Sequence, residues 1–186
     1  MRKRLLCGIL SLVLLLGMFI GAPVAKAASA LVSSDNLVEY IKSVEGFSAK
    51  PYWDHGQWTV GYGTRCPDDK RSEYNSKGIT EEAAVALLRE ELTKTETAVN
   101  SFIDKHAMTV NQHQFDALVT FTFNCGSGWL SEDGVLFRAV TSGATGNDLI
   151  SALALWSAAG GEYILLNRRL SEAYMYLEGQ IGRAHV

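Results

Sequence analysis

A short stretch of the chain, residues 45–64 with the sequence EGFSAKPYWDHGQWTVGYGT, joins a helix end directly to a β-hairpin. Upstream, apolar residues recur at helical spacing over residues 37–44, and Ser34 or Asp35 is suited to begin the helix. Gly46 is typical of a residue that ends a helix. Downstream, aromatic and β-branched residues alternate with small ones on both sides of a His-Gly turn, which is typical of a hairpin.

Two carboxylates, Glu45 and Asp54, stand at the two sides of this junction. Glu45 is on the last helical turn, where the negative end of the helix and the neighbouring Phe47 are both expected to favour the neutral acid. Asp54 lies at the hairpin turn, where solvent and backbone donors are expected to keep it ionised. One protonated and one ionised carboxyl group is the requirement of glycoside hydrolysis.

Other side chains of the same stretch are candidates for a supporting role. Thr59 supplies a hydroxyl group that can hold a water molecule beside Asp54. Trp58 and Tyr62 present rings that can stack on sugar faces, although such aromatic residues more often pack a small sheet.

The spacing of these residues resembles that of the phage-type lysozymes, the endolysins of glycoside hydrolase family twenty-four. The pattern is Glu45, eight residues, Asp54, then Thr59 and Gly-Tyr-Gly-Thr. Two further motifs resemble the same family in the same order, NQHQFDALVTFTFNCGSG at residues 111–128 and AAGGEYILLNRRLSEAYMYLEG at residues 158–179. Four residues separate Asp54 from Thr59, where many members of the family have five, so the hairpin is expected to be tighter.

The resemblance implies a fold, a reaction and roles for three residues. The fold is α+β but mostly α, with a small β-hairpin lobe, a helical lobe and a cleft between them. The reaction is hydrolysis of the β-1,4 bond between N-acetylmuramic acid and N-acetylglucosamine in peptidoglycan, without a cofactor. In the family, Glu45 would be the general acid, Asp54 would position or activate the attacking water, and Thr59 would assist from the opposite side.

Two other functions remain open alternatives from the sequence. A lytic transglycosylase also uses a Glu acid but needs no water, and it releases anhydro-sugar products. A non-enzymatic peptidoglycan-binding module would bind the glycan strand without cleaving it. The stereochemical outcome also remains open. It depends on the separation of the two carboxyl groups, which is roughly 6.5–9.5 Å in an inverting enzyme and about 5–5.5 Å in a retaining one.

The second and third motifs contain polar residues with more than one interpretation. The resemblance places Asn124 at the cleft as a substrate contact, but asparagine also suits the end of a helix, and the C-cap is the favoured interpretation. Arg168, Arg169 and Glu172 have the spacing of ion pairs on one helix. For these three residues a structural role is favoured over catalysis.

The first 27 residues have the three parts of a secretory signal: a basic start, an apolar run over residues 5–24, and Ala25-Lys26-Ala27 as a cleavage site. The alternative is a signal-anchor that holds the protein at the inner membrane, because about 20 apolar residues can span a bilayer. Either segment predicts export to the periplasm or the exterior. Residues 28–186 are then expected to form the catalytic domain, acting as a monomer.

The charge of the predicted mature chain excludes one class of partner. Residues 1–27 hold four of the 17 basic residues and no acidic residue, so the remainder carries 13 basic against 20 acidic residues. A chain with this balance lacks the basic footprint of a nucleic-acid-binding protein. The expected partner is the peptidoglycan glycan strand, and no spacing of Cys and His residues predicts a metal site.

Two cysteines of the predicted mature chain, Cys66 and Cys125, leave two alternatives open. A disulfide between them would close a long loop and stabilise the fold by about 4 kcal/mol. The other alternative is two free thiols, because sequence does not supply the separation that a disulfide requires.

The rest of the chain predicts a surface loop followed by helices. The loop covers residues 67–77, which are polar and rich in turn-forming residues. A long helix follows, with Thr80 as N-cap and an end near residue 103. Shorter helices are predicted over residues 111–123, 135–142 and 148–156, and one more at Arg168 and Arg169.

Overall fold

A three-stranded antiparallel sheet and seven α-helices make up the described part of the chain, which in this computed structural model is residues 30–54, 56–131, 133–158 and 164–179. The strands are β1 (Ser48–Asp54), β2 (Gln57–Gly61) and β3 (Thr64–Arg65). The helices are α1 (Asp35–Glu45), α2 (Arg71–Lys77), α3 (Glu81–Lys105), α4 (Gln112–Cys125), α5 (Val135–Thr141), α6 (Gly146–Ala154) and α7 (Leu166–Glu178). A single 3-10 turn, Gly128–Leu130, follows α4. The predicted α+β, mostly helical fold is confirmed.

The predicted leader, residues 1–27, lies outside the described residues, as does the histidine of the hairpin turn, His55. Among the helices that are described, none has the length and apolar character needed to cross a bilayer.

The predicted start and end of the first helix are confirmed. Ser34 caps α1 with its side chain, which accepts a hydrogen bond from the backbone N–H of Leu37. The helix ends at Gly46, which has a positive φ of 69°. These two local signals place Glu45 at the last position of α1, one residue before the chain turns into the sheet.

The hairpin register places four residues, among them the candidates Asp54 and Thr59, on one face of the sheet. Across the turn, Asp54 pairs with Gln57, and Tyr52 pairs with Thr59. Cross-strand partners point to the same face, and so do residues two positions apart on one strand. Asp54 and Thr59 therefore share a face of the hairpin.

Helix α3 supports both lobes. Thr80 caps it by accepting a hydrogen bond from the N–H of Ala83, and the helix continues to Lys105, two residues beyond the predicted end. It packs against β2 and β3 and also against α4, so it joins the sheet to the helical lobe. Its buried residues are Ala84, Leu88, Leu92, Val99, Phe102 and Ile103.

The predicted surface loop over residues 67–77 is wrong for most of its length, because residues 71–77 form α2. This helix buries none of its residues, so no apolar periodicity was present to indicate it. Ion pairs at helical spacing support it instead, with Glu73 in contact with Lys70 at 3.4 Å and with Lys77 at 4.0 Å.

Cys66 and Cys125 are free thiols, so the structure has the unbonded one of the two alternatives. Cys66 is buried in the core beside β3. Cys125 directs its Sγ atom to the guanidinium of Arg169, at 2.6 Å from Nη1. The two side chains are thus engaged in different surroundings, and burial raises the pKa of both thiols.

The close contact between the hairpin and α3 generates a stability prediction. Gly61 has a positive φ of 65°, and a Cβ atom there would lie 2.8 Å from Cβ of Ala84. The variant Gly61→Ala should lose about 2–4 kcal/mol of unfolding free energy, since backbone strain adds to overpacking. Urea unfolding measures this loss.

Gly56→Ala is the matched control for this measurement. Gly56 also has a positive φ, 89°, but a Cβ atom there would meet nothing within 4 Å. Only the strain of about 1–2 kcal/mol is expected. Equal losses in the two variants would show that the hairpin is not packed against Ala84 as described.

Candidate active site

A cleft of about 800 Å³ runs between the sheet, α3 and the end of α4. Both predicted acids, Glu45 and Asp54, line it. The other lining residues are Gln57, Gly63, Thr64, Arg65, Pro67, Asp68, Leu87, Glu90, Glu91, Lys94, Thr95, Ala98, Thr122, Phe123, Asn124, Gly126 and Ser127. The structure therefore brings the two acids into one concave surface, as the sequence predicted.

Glu45 is held by a cation that the sequence analysis did not assign to it. Nη1 of Arg168 donates to its Oε1 atom at 2.7 Å, and both side chains are mostly buried. The other carboxylate oxygen, Oε2, lies against Gly63, where an added Cβ atom would come within 3.1 Å of it. One oxygen is thus tied to α7 and the other faces the turn after β2.

The expected apolar shielding of Glu45 by Phe47 is a smaller feature than the sequence suggested. Phe47 is 41% exposed, and its ring packs against that of Tyr62, with centroids 5.4 Å apart. The dominant neighbour of Glu45 is therefore the guanidinium of Arg168, not an apolar ring.

Asp54 lies at the end of β1 and is partly buried. Tyr52 is on the same face of the sheet, and the pKa of its phenol is affected by both acids. Burial raises the pKa of the Tyr52 phenol, and the negative charges of Asp54 and then Glu45 raise it further. Both carboxylates are therefore close enough to Tyr52 to act on it electrostatically.

Thr59 shares this face of the hairpin with Asp54, but its side chain is buried. It is 1% exposed and is not among the residues that line the cleft in the described structure. Its Oγ1 atom has no hydrogen-bond partner among the described residues.

Trp58 and Tyr62, predicted as sugar contacts, are not brought to the cleft. Trp58 is half-buried, with the Trp53 ring 5.6 Å away on one side and the Arg71 guanidinium 5.4 Å away over its ring. Tyr62 is 4% exposed, and its hydroxyl donates to Oε2 of Glu81. Both rings pack the hairpin lobe, which was the alternative interpretation.

Asn124 does line the cleft, but it does not end α4. The C-cap is Gly126, so the prediction of Asn124 as the cap is wrong. Gly126 adopts a positive φ of 79°, and its N–H donates to the carbonyl of Thr122. Asn124 is left within the last helical turn, where Nη2 of Arg169 donates to its Oδ1 atom at 2.8 Å.

Behind the cleft lies a buried ion pair between Arg169 and Glu172, both 0% exposed. Nη2 of Arg169 donates to Oε1 of Glu172 at 2.9 Å, and Nε lies 2.8 Å from Oε2. Arg168 reaches the same carboxylate at 3.5 Å. Burial raises the pKa of Glu172 to about 7, against the opposing pull of the two guanidinium groups. The predicted ion pairs are confirmed.

The sequence missed part of the cleft wall. Glu90, Glu91 and Lys94 of α3, which the sequence analysis did not single out, lie along the cleft. Their signal in the sequence is a helical spacing that also fits any exposed helix face. Among the described residues, no group of three or more His, Cys, Asp and Glu side chains is placed to hold a metal ion.

Comparison with protein families gives a match to the phage lysozyme model over residues 42–172. The endolysin of Salmonella phage P22 is 32% identical over 146 residues, which cover 77% of this chain and 97% of that protein. The endolysin of Bacillus phage B103 is 30% identical over 150 residues, or 77% of this chain. This chain spans about half of that longer protein, 53% of its length.

Solved structures share the fold. An endolysin from the Escherichia coli O157:H7 phage FAHEc1 superposes with a TM-score of 0.68 at 29% identity, covering 82% of this chain and 98% of that one. The muramidase domain of SpmX from Asticaccaulis excentricus has a TM-score of 0.64 at 33% identity, covering 77% and 96%.

Proposed function

This chain belongs to the phage lysozyme family, and from that premise we propose that Glu45, Asp54 and Thr59 carry out its reaction. The chain is a lysozyme, a glycoside hydrolase that acts on peptidoglycan. The bond cleaved is the β-1,4 linkage between N-acetylmuramic acid and N-acetylglucosamine. The observation that carries the assignment is that Glu45 and Asp54 line the same cleft.

Glu45 is the general acid in this proposal. Its Oε1 atom accepts from Arg168, and a guanidinium has donors only, so the proton that Glu45 transfers in the reaction must leave from Oε2. That atom lies beside Gly63, which also lines the cleft. Glu45 therefore presents a proton on its untethered oxygen to the glycosidic oxygen of the substrate.

Asp54 and Thr59 place the attacking water. They share a face of the hairpin, and the buried Thr59 hydroxyl has no partner among the described residues, so it is free to bond a water. The Asp54 carboxylate accepts a proton from the same water. Attack on the face opposite the leaving oxygen gives inversion at the anomeric carbon.

The proposed site of action is the cell wall, outside the cytoplasmic membrane. Residues 1–27 carry the signal or signal-anchor pattern that would deliver the enzyme there. We expect the exported enzyme to act on glycan strands as a monomer.

The role of Glu45 is tested by Glu45→Gln. The amide keeps the size and a hydrogen-bond acceptor for Arg168 but cannot donate an acidic proton. Hydrolysis of purified peptidoglycan should fall by about 10²–10⁴-fold while sedimentation of the protein with the insoluble wall is retained. Mass analysis of products from the native enzyme should show reducing ends formed by water, not anhydro-sugars.

Glu39→Gln is the control for this experiment, because Glu39 is on the same helix, is exposed and pairs with Lys42 at the surface. This control should keep full activity. Undiminished hydrolysis by Glu45→Gln would remove Glu45 as the acid, and anhydro-sugar products would assign the chain to the transglycosylases.

The role of Thr59 is tested by Thr59→Val. Because the buried hydroxyl has no hydrogen-bond partner in the part of the chain that the structure describes, its removal should leave the unfolding free energy unchanged or raise it. The turnover number should fall about 10- to 100-fold if the hydroxyl holds the attacking water. Thr59→Ser, which keeps the hydroxyl, should retain most of the activity; equal turnover in the Val and Ser variants would refute the role.

A further inference from the structure

The orientation of the Asn124 amide at the cleft is dictated by its neighbours. Its Oδ1 atom accepts from Nη2 of Arg169 at 2.8 Å, and the thiol of Cys125 approaches the same oxygen at 3.7 Å. A guanidinium has N–H donors and no acceptor, so the group turned toward it must be the carbonyl oxygen of the amide. The amino group, Nδ2, is therefore on the arm that points away from Arg169.

Asn124 lines the cleft and is only partly buried, and Nδ2 makes no hydrogen bond to any described residue. The amide oxygen is already hydrogen-bonded within the protein, so only the amino group remains for a contact with a ligand. It can donate a hydrogen bond, and its partner must be an acceptor.

Arg169 is itself unable to turn away. It is fully buried, its charge is balanced by Glu172, and its guanidinium lies 4.8 Å over the Phe121 ring. Withdrawing the guanidinium would leave the Glu172 carboxylate buried without its closest cation, which is costly. The orientation of Asn124 is therefore set by the core of the protein before any substrate binds.

We propose that Arg169, held by Glu172, is a positioning residue that fixes Asn124 as a hydrogen-bond donor to an acetamido carbonyl of the glycan strand. This inference rests on the proposed function. Sugar hydroxyl groups both donate and accept and would pair with either end of an amide. The acetamido carbonyl accepts only and is a stronger acceptor than the ring and glycosidic oxygens, so it is the group of an N-acetylated strand that gains most from a donor in this orientation.

Asn124→Asp separates this role from a structural one. An aspartate keeps an oxygen for Arg169, so the contact to α7 is retained, but the atom that faces the cleft becomes an acceptor. We expect KM for N-acetylated peptidoglycan to rise about tenfold or more, with a smaller change in kcat. With peptidoglycan from which the acetyl groups have been removed, KM for the variant should equal or fall below that of the native enzyme.

Arg169→Lys tests the positioning residue itself. An ammonium group lacks the planar fork with which the guanidinium contacts Asn124 and both oxygens of Glu172, so KM should rise on acetylated substrate as it does for Asn124→Asp. Because Arg169 is buried, this variant is interpreted only if a melting curve shows a folded protein. Asn147→Asp, at an exposed position in the first turn of α6, is the matched control and should leave both kinetic constants unchanged.

Three results would overturn the inference. An unchanged KM for Asn124→Asp would show that Asn124 serves only to satisfy Arg169. An equal rise in KM on acetylated and deacetylated substrate would remove the acetamido carbonyl as the partner. A folded Arg169→Lys enzyme with native KM would remove Arg169 as the positioning residue. In all three cases the proposed function still stands as long as the native enzyme hydrolyses peptidoglycan. The proposed function itself would fail only if the native enzyme were inactive.

Discussion

The ion pair between Arg168 and Glu45 is the contact on which the arrangement of the cleft depends. It joins residues 123 positions apart and ties the last residue of α1 to the first turn of α7. Arg168 does not stand alone, because it also reaches Glu172, whose carboxylate is paired with Arg169. Charges in surroundings of low polarity interact strongly, so each member of this group restricts the others.

Helix α7 supports two walls of the cleft from the same buried cluster. Through Arg168 it reaches Glu45 at the end of α1, and through Arg169 it reaches Asn124 at the end of α4. The third wall, the hairpin, is held separately by its packing against α3 at Gly61. The acid, the amide and the hairpin face that bears Asp54 are thus positioned by rigid elements, which is what a reaction that depends on geometry needs.

Local signals were sufficient to predict most of the fold. Ser34, Thr80 and Asn111 begin their helices as caps because their side chains accept backbone hydrogen bonds within one turn, and such contacts depend only on neighbours in sequence. The predictions that failed concern contacts between residues distant in sequence, or a helix, α2, that has no apolar periodicity. The spacing of the third motif indicates that Arg168 can pair with Glu172, but only tertiary packing brings Arg168 to Glu45. Likewise, a tyrosine after a hairpin strand is equally compatible with a sugar contact and with the buried position that Tyr62 occupies.

The turnover number of Arg168→Gln, measured with KM on soluble peptidoglycan fragments, is the most direct test that this ion pair positions the acid. The account predicts a fall in kcat of about 100-fold in a folded protein. Without the guanidinium of Arg168 on its Oε1 atom, the Glu45 carboxyl group is no longer held in the geometry that proton transfer needs. KM should change little, and Arg168→Lys should restore part of the loss. A folded Arg168→Gln enzyme with the native kcat would contradict the account.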